Sequence, residues 1–449
     1  MVRPSDQHAT VTINSVIPRL LYCILLVMVP LTTRPVHARP AEQISSAMQI
    51  SRDPHVARAL EWLSRNTDWI NAEQARITAI PAPPFHESER AAYVQKILSS
   101  YALRVSTDRA GNVIGELPGS QENQIVVLAA HLDTVFPAGT DVHVRKEGAR
   151  MLAPGISDNG TGLATLVAIA RGFHEANLKP ARTILFVANV GEEGEGNLRG
   201  MRALVDEYKD RLKYVIALDG SGTDYITTMA LGSRRIEIVV NGPGGHSWSD
   251  FGLPNPINAV ARGITRFLKM RVPDSPRTTF NIGQIEGGTS VNSIPFRASI
   301  RVDLRSEQEQ ELERLETHLR ESMKAGVDEE MAATRERGSF NSSGSQLEMG
   351  VHVLGVRPGG ELAANSNLLA AVRNADTFLG NSSRLERSST DANIPISIGI
   401  DAISIGAGGA SGGAHSLKEW YDPTDRLMGL KRVLLTLLAV AGMSPADAH

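Results

Sequence analysis

Seven acidic and histidine residues, His131, Asp133, Asp158, Glu192, Glu193, Asp219 and His415, lie in short turns or at strand ends beside small residues. Oxygen and nitrogen donors dispersed in this way, once gathered at one rim of a sheet, are what a pair of hard or borderline divalent cations requires. The chemistry they would support is metal-assisted hydrolysis.

Each group has a local context. The apolar run Val126–Ala130 reads as a buried strand ending in His131-Leu132-Asp133, so the histidine and aspartate, two apart, face the same side. A ligating histidine usually gives its other ring nitrogen to a carboxylate or carbonyl, and Asp133 suits that task; a His-x-Asp pair also serves as a plain surface hydrogen bond. Gly155-Ile156-Ser157-Asp158-Asn159-Gly160-Thr161-Gly162 is a glycine-dense turn running into a helix. There Asp158 can aim its two oxygens apart, as a bridging carboxylate must, or act simply as a helix N-cap.

Glu192 and Glu193 follow another buried strand, and adjacent carboxylates repel unless a positive group stands nearby or one is protonated. A division of labour resolves this: Glu193 binds metal, while Glu192 stays unligated and takes a proton from a metal-bound water whose pKa has fallen to about 7. Two exposed loop glutamates are the other reading. Asp219 ends a third apolar strand, and His415 follows the flexible run Gly406–Gly413. That run lacks dinucleotide spacing, because Ser411 stands where the third glycine belongs. The sequence holds no Gly-x-Ser-x-Gly elbow and no His-Glu-x-x-His helix, so neither a serine hydrolase nor a one-zinc helix protease is supported.

The elements that must position these residues alternate. Residues 55–70 and 87–103 have helical apolar spacing on either side of Ile80-Pro81-Ala82-Pro83-Pro84. Gln124–Ala130 and Thr183–Val190 read as buried strands with a helix over Gly162–Glu175 between them, which implies a largely parallel sheet covered on both faces. From Arg234 the order becomes strand (Arg235–Asn241), helix (Pro256–Lys269), two strands (Thr279–Ile285, Ala298–Leu304), a charged helix (Glu307–Ala325) and a strand (Leu347–Val356). This is the split ferredoxin-like order of a compact inserted domain. From Gly359 the first pattern resumes, with a helix at Asn365–Leu379 and a strand near Ile403.

At 449 residues two domains of unequal size are expected, and a net charge of -3 argues against nucleic acid as partner. The first forty residues differ from the rest. Arg3 and Arg19 precede an apolar run from Leu20 to Leu31 and then Val36-His37-Ala38, the layout of a secretory signal peptide cut after Ala38. The run is shorter than the roughly 20 residues a spanning helix needs, so no stable membrane anchor is expected. Cleavage would remove the only cysteine, Cys23, and leave a mildly acidic exported chain, periplasmic or extracellular, without disulfides. The expected domains are a signal peptide at 1–38, a catalytic domain at 39–233 and 358–449, and an inserted lid or dimerisation domain at 234–357.

Taken in order, Ala-His-Leu-Asp-Thr-Val, Gly-x-Ser-Asp-Asn-Gly-x-Gly, Gly-Glu-Glu-Gly, Leu-Asp-Gly and Ala-His-Ser-x-x-Glu-Trp resemble the di-zinc exopeptidase and deacylase family. That family includes tripeptidase T, carboxypeptidase G, aminoacylases, acetylornithine deacetylase and succinyl-diaminopimelate desuccinylase. The resemblance covers the chain after about residue 50 and implies an α/β fold: a mixed, largely parallel sheet flanked by helices, with an inserted ferredoxin-like α+β domain. It also implies two Zn2+, or Co2+ or Mn2+, which suit the same donors. His131 and Asp219 would hold one ion, Glu193 and His415 the other, and Asp158 would bridge them ahead of a cis peptide to Asn159. Asp133 would orient His131, and Glu192 would be the general base.

In the inserted domain, Gly242-Pro243-Gly244-Gly245-His246-Ser247 matches a lid histidine that reaches the partner subunit's site in family dimers to stabilise the oxyanion. Asn292 and Arg305 match substrate-binding positions. Aspartate rather than glutamate at position 219 is closer to the aminopeptidase-like and aminoacylase-like branches. The expected enzyme is a homodimeric metallohydrolase cleaving amide bonds of short peptides, or alternatively of N-acyl amino acids. A non-catalytic binding module is disfavoured, because every ligand position and the base are present.

Overall fold

The computed structural model describes residues 45–337 and 346–444. The segment expected to be a signal peptide, with Cys23, lies outside the described residues. None of the described helices is long and apolar enough to cross a membrane.

Among the described residues the central sheet has nine strands. Its path runs Arg104–Thr107, Val113–Leu117, Arg182–Asn189, Gln121–His131, Leu212–Leu218, Asp401–Ile405, Tyr225–Ala230 and Gly360–Glu361, with Arg384–Ser388 also pairing with Tyr225–Ala230. The middle four of that path, Arg182–Asn189 through Asp401–Ile405, pair in parallel, and antiparallel strands flank them. This is the mixed sheet expected, but by strand pairings it is not largely parallel: parallel and antiparallel pairings are equal in number, and three of the four parallel ones gather at its centre. Alternation explains its two covered faces. Val126, Leu128 and Ala130 point into one apolar cluster with the helices Gly160–Ala176 and Arg426–Ala441, whereas Ile125, Val127 and Ala129 point into another with Leu204 and Ile394.

A second, four-stranded antiparallel sheet runs Thr278–Gly287, Arg297–Ser306, Gly232–Asn241 and Glu348–Arg357. Helices Pro256–Phe267 and Glu309–Arg337 cover one face over a separate core that includes Ile236, Ile238, Ile300 and Leu319. The element order is the ferredoxin-like one predicted from the sequence.

Two local expectations change. The apolar spacing over 55–70 belongs to two helices, Pro54–Arg65 and Thr67–Thr78, separated at Asn66, whose amide turns back to the Trp62 carbonyl at 2.7 Å. The charged helix does not stop near Ala325 but continues to Arg337. One of its charges is buried by packing: Glu330 is fully buried and takes ion pairs from Arg262 and Arg337. Gly326 lets the two helices touch, since a Cβ there would stand 2.4 Å from the Gly263 nitrogen and 2.5 Å from the Ala259 oxygen.

Candidate functional site

Parallel pairing brings strand ends from distant parts of the chain to one rim. His131 is the last residue of its strand and sits in register with Asn189, while Ala130 pairs with Leu218 and Leu218 with Ile405. The chain leaves Asn189 through Gly191, at φ +66°, to deliver Glu192 and Glu193. Asp219 follows Leu218 directly. Ligand sites of open α/β sheets lie at this carboxyl edge, where loops diverge.

Asp158 arrives from the turn before helix Gly160–Ala176. The N-cap of that helix is Asn159, whose side-chain oxygen accepts from Gly162 N at 3.2 Å while its amide donates to the Leu218 carbonyl at 2.7 Å. Asn159 therefore does the capping and ties the turn to the sheet, which leaves both Asp158 oxygens for the rim. The Asp158–Asn159 peptide is cis.

The two Asp158 oxygens face opposite ways. Oδ1 lies 3.1 Å from His131 Nε2, which is in turn 3.9 Å from Asp219 Oδ1. Oδ2 lies 3.0 Å from His415 Nε2, which is 3.2 Å from Glu193 Oε1. His131, Asp158 and Glu193 alone already offer three ligand atoms within 4.8 Å of one another. The five residues expected to hold metal thus come together, in two groups that share Asp158.

Asp133 orients the site in a different way from that expected. His131 Nδ1 bonds to the Asp133 backbone carbonyl at 3.0 Å, with the carboxylate farther off at 3.7 Å. The carboxylate instead accepts the backbone amides of Glu192 at 3.0 Å and Glu193 at 2.8 Å. The carbonyl still selects the ring form in which Nδ1 carries hydrogen and Nε2 faces the rim.

Electrostatics fit a cation. His131 Nε2 and Asp158 Oδ1 are buried atoms that face each other at 3.1 Å and have no other hydrogen-bond partner among the described residues. Burial opposes a charged His131 ring, yet the carboxylates of Asp133, Asp158 and Asp219 overcome it and raise its pKa well above the usual histidine range. Contacts to Asp158 and Glu193 push His415 up to about 10. Burial works against the Asp158 carboxylate, but the two histidines hold its pKa below the ordinary value. Burial raises both Glu192 and Glu193. In the metal-free chain, protons on the imidazoles supply the positive charge that this concentration of carboxylates demands. Two imidazoles and several carboxylates form a donor set suited to divalent cations of the zinc, cobalt or manganese kind.

The chain matches the family model described as peptidase family M28 over residues 112–237, which contains His131, Asp158, Glu193 and Asp219. It matches the peptidase dimerisation domain over residues 229–330. These matches indicate a metal-dependent peptidase or hydrolase. An uncharacterised Bacillus subtilis (strain 168) protein, YqjE, is 25% identical to this metallopeptidase over 355 residues, 75% of this chain and 89% of that one. Carboxypeptidase G2 of Pseudomonas sp. (strain RS-16) is 24% identical over 241 residues, 51% of this chain and 57% of its own length. Among solved structures, aminopeptidase PepT from Bacillus cereus ATCC 10987 has a TM-score of 0.65 at 22% identity, covering 84% of this chain and 99% of that one. The di-peptidase Dug1p from Saccharomyces cerevisiae has a TM-score of 0.67 at 13% identity, covering 88% and 100%.

The dimerisation domain of the metallopeptidase carries the remaining predicted residues. His246 and Asn292 come together there: Gly245–His246 pairs with Ser293–Ile294, and Ser247 N donates to Asn292 O at 3.0 Å. His246 is exposed, and within this one chain it forms no hydrogen bond or ion pair with the rim among the described residues. Arg305 does not reach the rim either. It pairs at 2.7 Å with Asp303 on its own strand.

Two buried side chains at the site carry no role in the sequence reading. Glu419 accepts Gly155 N at 2.8 Å through Oε2, and Ser157 N, Ser157 Oγ and Asp158 N at 2.8, 2.6 and 3.0 Å through Oε1. Its place four residues after His415 was the only local signal. Arg357 forms an ion pair with Glu192 Oε1 at 2.8 Å, and nothing in Val356-Arg357-Pro358 announces a partner 165 residues away.

Proposed function

We propose that this metallopeptidase is an exported homodimeric exopeptidase that acts on short peptides with two zinc ions. The observation that carries the reading is the pair of Asp158 oxygens facing two separate histidines, at 3.1 and 3.0 Å. His131 and Asp219 would hold one ion, Glu193 and His415 the other, and Asp158 both. Cobalt or manganese would suit the same donors. When bound, such a pair of cations polarises the scissile carbonyl and acidifies the attacking water.

The chain's own residues do the rest. Glu192 accepts the proton of the attacking water and returns it to the leaving amine. Asp133 fixes the peptide plane of the base by holding the Glu192 and Glu193 amides. His246 of one protomer would stabilise the oxyanion in its partner's site, a reading supported by the exposure of His246 within a dimerisation domain. Asn292, beside it, would bind substrate. The proposal of export rests on the apolar segment before Ala38.

The test is a panel of di- and tripeptides against N-acetyl amino acids, run on protein loaded with defined metal. Peptide turnover that falls to a small residual rate in Glu192→Gln, with two metals still bound, is the expected result. Turnover of N-acyl amino acids without peptide cleavage would make the enzyme a deacylase instead, and full activity in Glu192→Gln would remove Glu192 as base.

A further inference from the structure

Glu192 sits in a loop of unusual backbone. Gly191, Gly194, Asn197 and Leu198 all have positive φ, two of them without the freedom of glycine. A chain that turns this way satisfies few of its own carbonyls internally, so they must find donors elsewhere. For three of them the donor is an arginine side chain. Arg357 reaches the Glu192 carbonyl through Nη2, Arg235 reaches the Gly194 carbonyl, and Arg202 donates to the Asn197 carbonyl at 3.0 Å. Asn197 Oδ1 in turn accepts Val356 N at 3.1 Å. Arg235 and Arg357 belong to the inserted sheet, on Gly232–Asn241 and at the end of Glu348–Arg357.

Arg357 alone among these three touches the carboxylate. Its Nη1 lies 2.8 Å from Glu192 Oε1 and 3.1 Å from Ser389 Oγ, and the arginine and glutamate are only 6% and 5% exposed. A guanidinium is a rigid fork, and here its two ends hold the side chain and the backbone of one residue. Asp133 holds the Glu192 amide at 3.0 Å. With Oε1 and both ends of the residue secured, Oε2 is the oxygen left to exchange a proton with water.

We infer that Arg357, at the end of the inserted sheet, is a positioning residue that aims Glu192. This inference rests on the reading of Glu192 as the base. Burial of a countercharge for its own sake would give the same ion pair, so the experiment must separate aim from stability.

The experiment measures kcat and KM on a di- or tripeptide for Arg357→Met and Arg357→Lys, each made in the zinc-loaded wild-type chain and in Glu192→Gln. A misplaced base costs turnover more than binding, so Arg357→Met is expected to lower kcat about 100-fold with KM changed less than about threefold. In Glu192→Gln the same substitution should leave the residual rate unchanged, because no base remains to be aimed. Equal losses in the two backgrounds would overturn the inference. Arg357→Lys keeps a buried cation but cannot hold both contacts, and covers the case in which the methionine variant does not fold. A kcat lowered about tenfold or more supports the fork, and wild-type kcat in the lysine variant overturns it. Failure of the base itself reads out separately, as wild-type turnover in Glu192→Gln alone.

Discussion

Glu419 joins the loop of Asp158 to the loop of His415, and its removal should damage stability and metal binding together. In Glu419→Ala, the backbone amides of Gly155, Ser157 and Asp158 and the Ser157 hydroxyl lose their common acceptor. A buried donor left unpaired costs about 1–3 kcal/mol. Relaxation and entering water recover part of the sum, so about 3–5 kcal/mol is expected for the alanine variant. Glu419→Gln can keep its oxygen at the Oε1 position, where three donors converge, and then sets an amide group against Gly155 N–H. The cost falls to about 1–3 kcal/mol, one unpaired donor. Burial pushes the Glu419 carboxyl up despite its four donors, so the comparison belongs on the alkaline side of neutrality. Urea unfolding of the metal-free protein measures stability, and calorimetric zinc titration measures the site. A freed 155–158 turn no longer presents Asp158, and zinc affinity should fall about 10–100-fold in the alanine variant. Alanine and glutamine variants of equal stability, or an alanine variant with wild-type zinc affinity, would refute the reasoning.

Three further outcomes follow from other parts of the chain. Metal uptake near pH 7 should release about two protons, because His131 and His415 are held protonated in the metal-free chain and must lose those protons to ligate; zinc affinity then rises with pH up to the His415 range. Calorimetry in buffers of different ionisation enthalpy reads this directly, and heats independent of buffer would contradict it. Mixing Glu192→Gln with His246→Ala subunits should restore about a quarter of wild-type turnover, since half the dimers would be mixed and each would hold one complete site; no recovery in a demonstrated heterodimer would exclude sharing of His246. Gly326→Ala should cost about 1–3 kcal/mol or more in urea unfolding by driving two helices of the dimerisation domain apart, while a metal titration of the rim stays unchanged.

The sequence alone determined the residues with short-range signatures. His131 and Asp219 could be found because buried apolar strands run straight into them, and Asp158 and Glu193 because glycines mark the turns that free them. The strand and helix order carried the fold, since period-2 and period-3.6 patterns are written locally. Choices between equivalent atoms needed the tertiary structure. A sequence cannot tell which residue of Asp158-Asn159 caps the helix; Asn159 takes the cap because the Leu218 carbonyl stands within reach of its amide. Nor can it tell that Asp133 serves His131 through its carbonyl and the two glutamates through its carboxylate. Glu419 and Arg357 were hidden for the same reason. Arg357 acts on Glu192, 165 positions away, and Glu419 on residues 261 to 264 positions away, and a contact made only by folding leaves its role unmarked in the spacing of either partner.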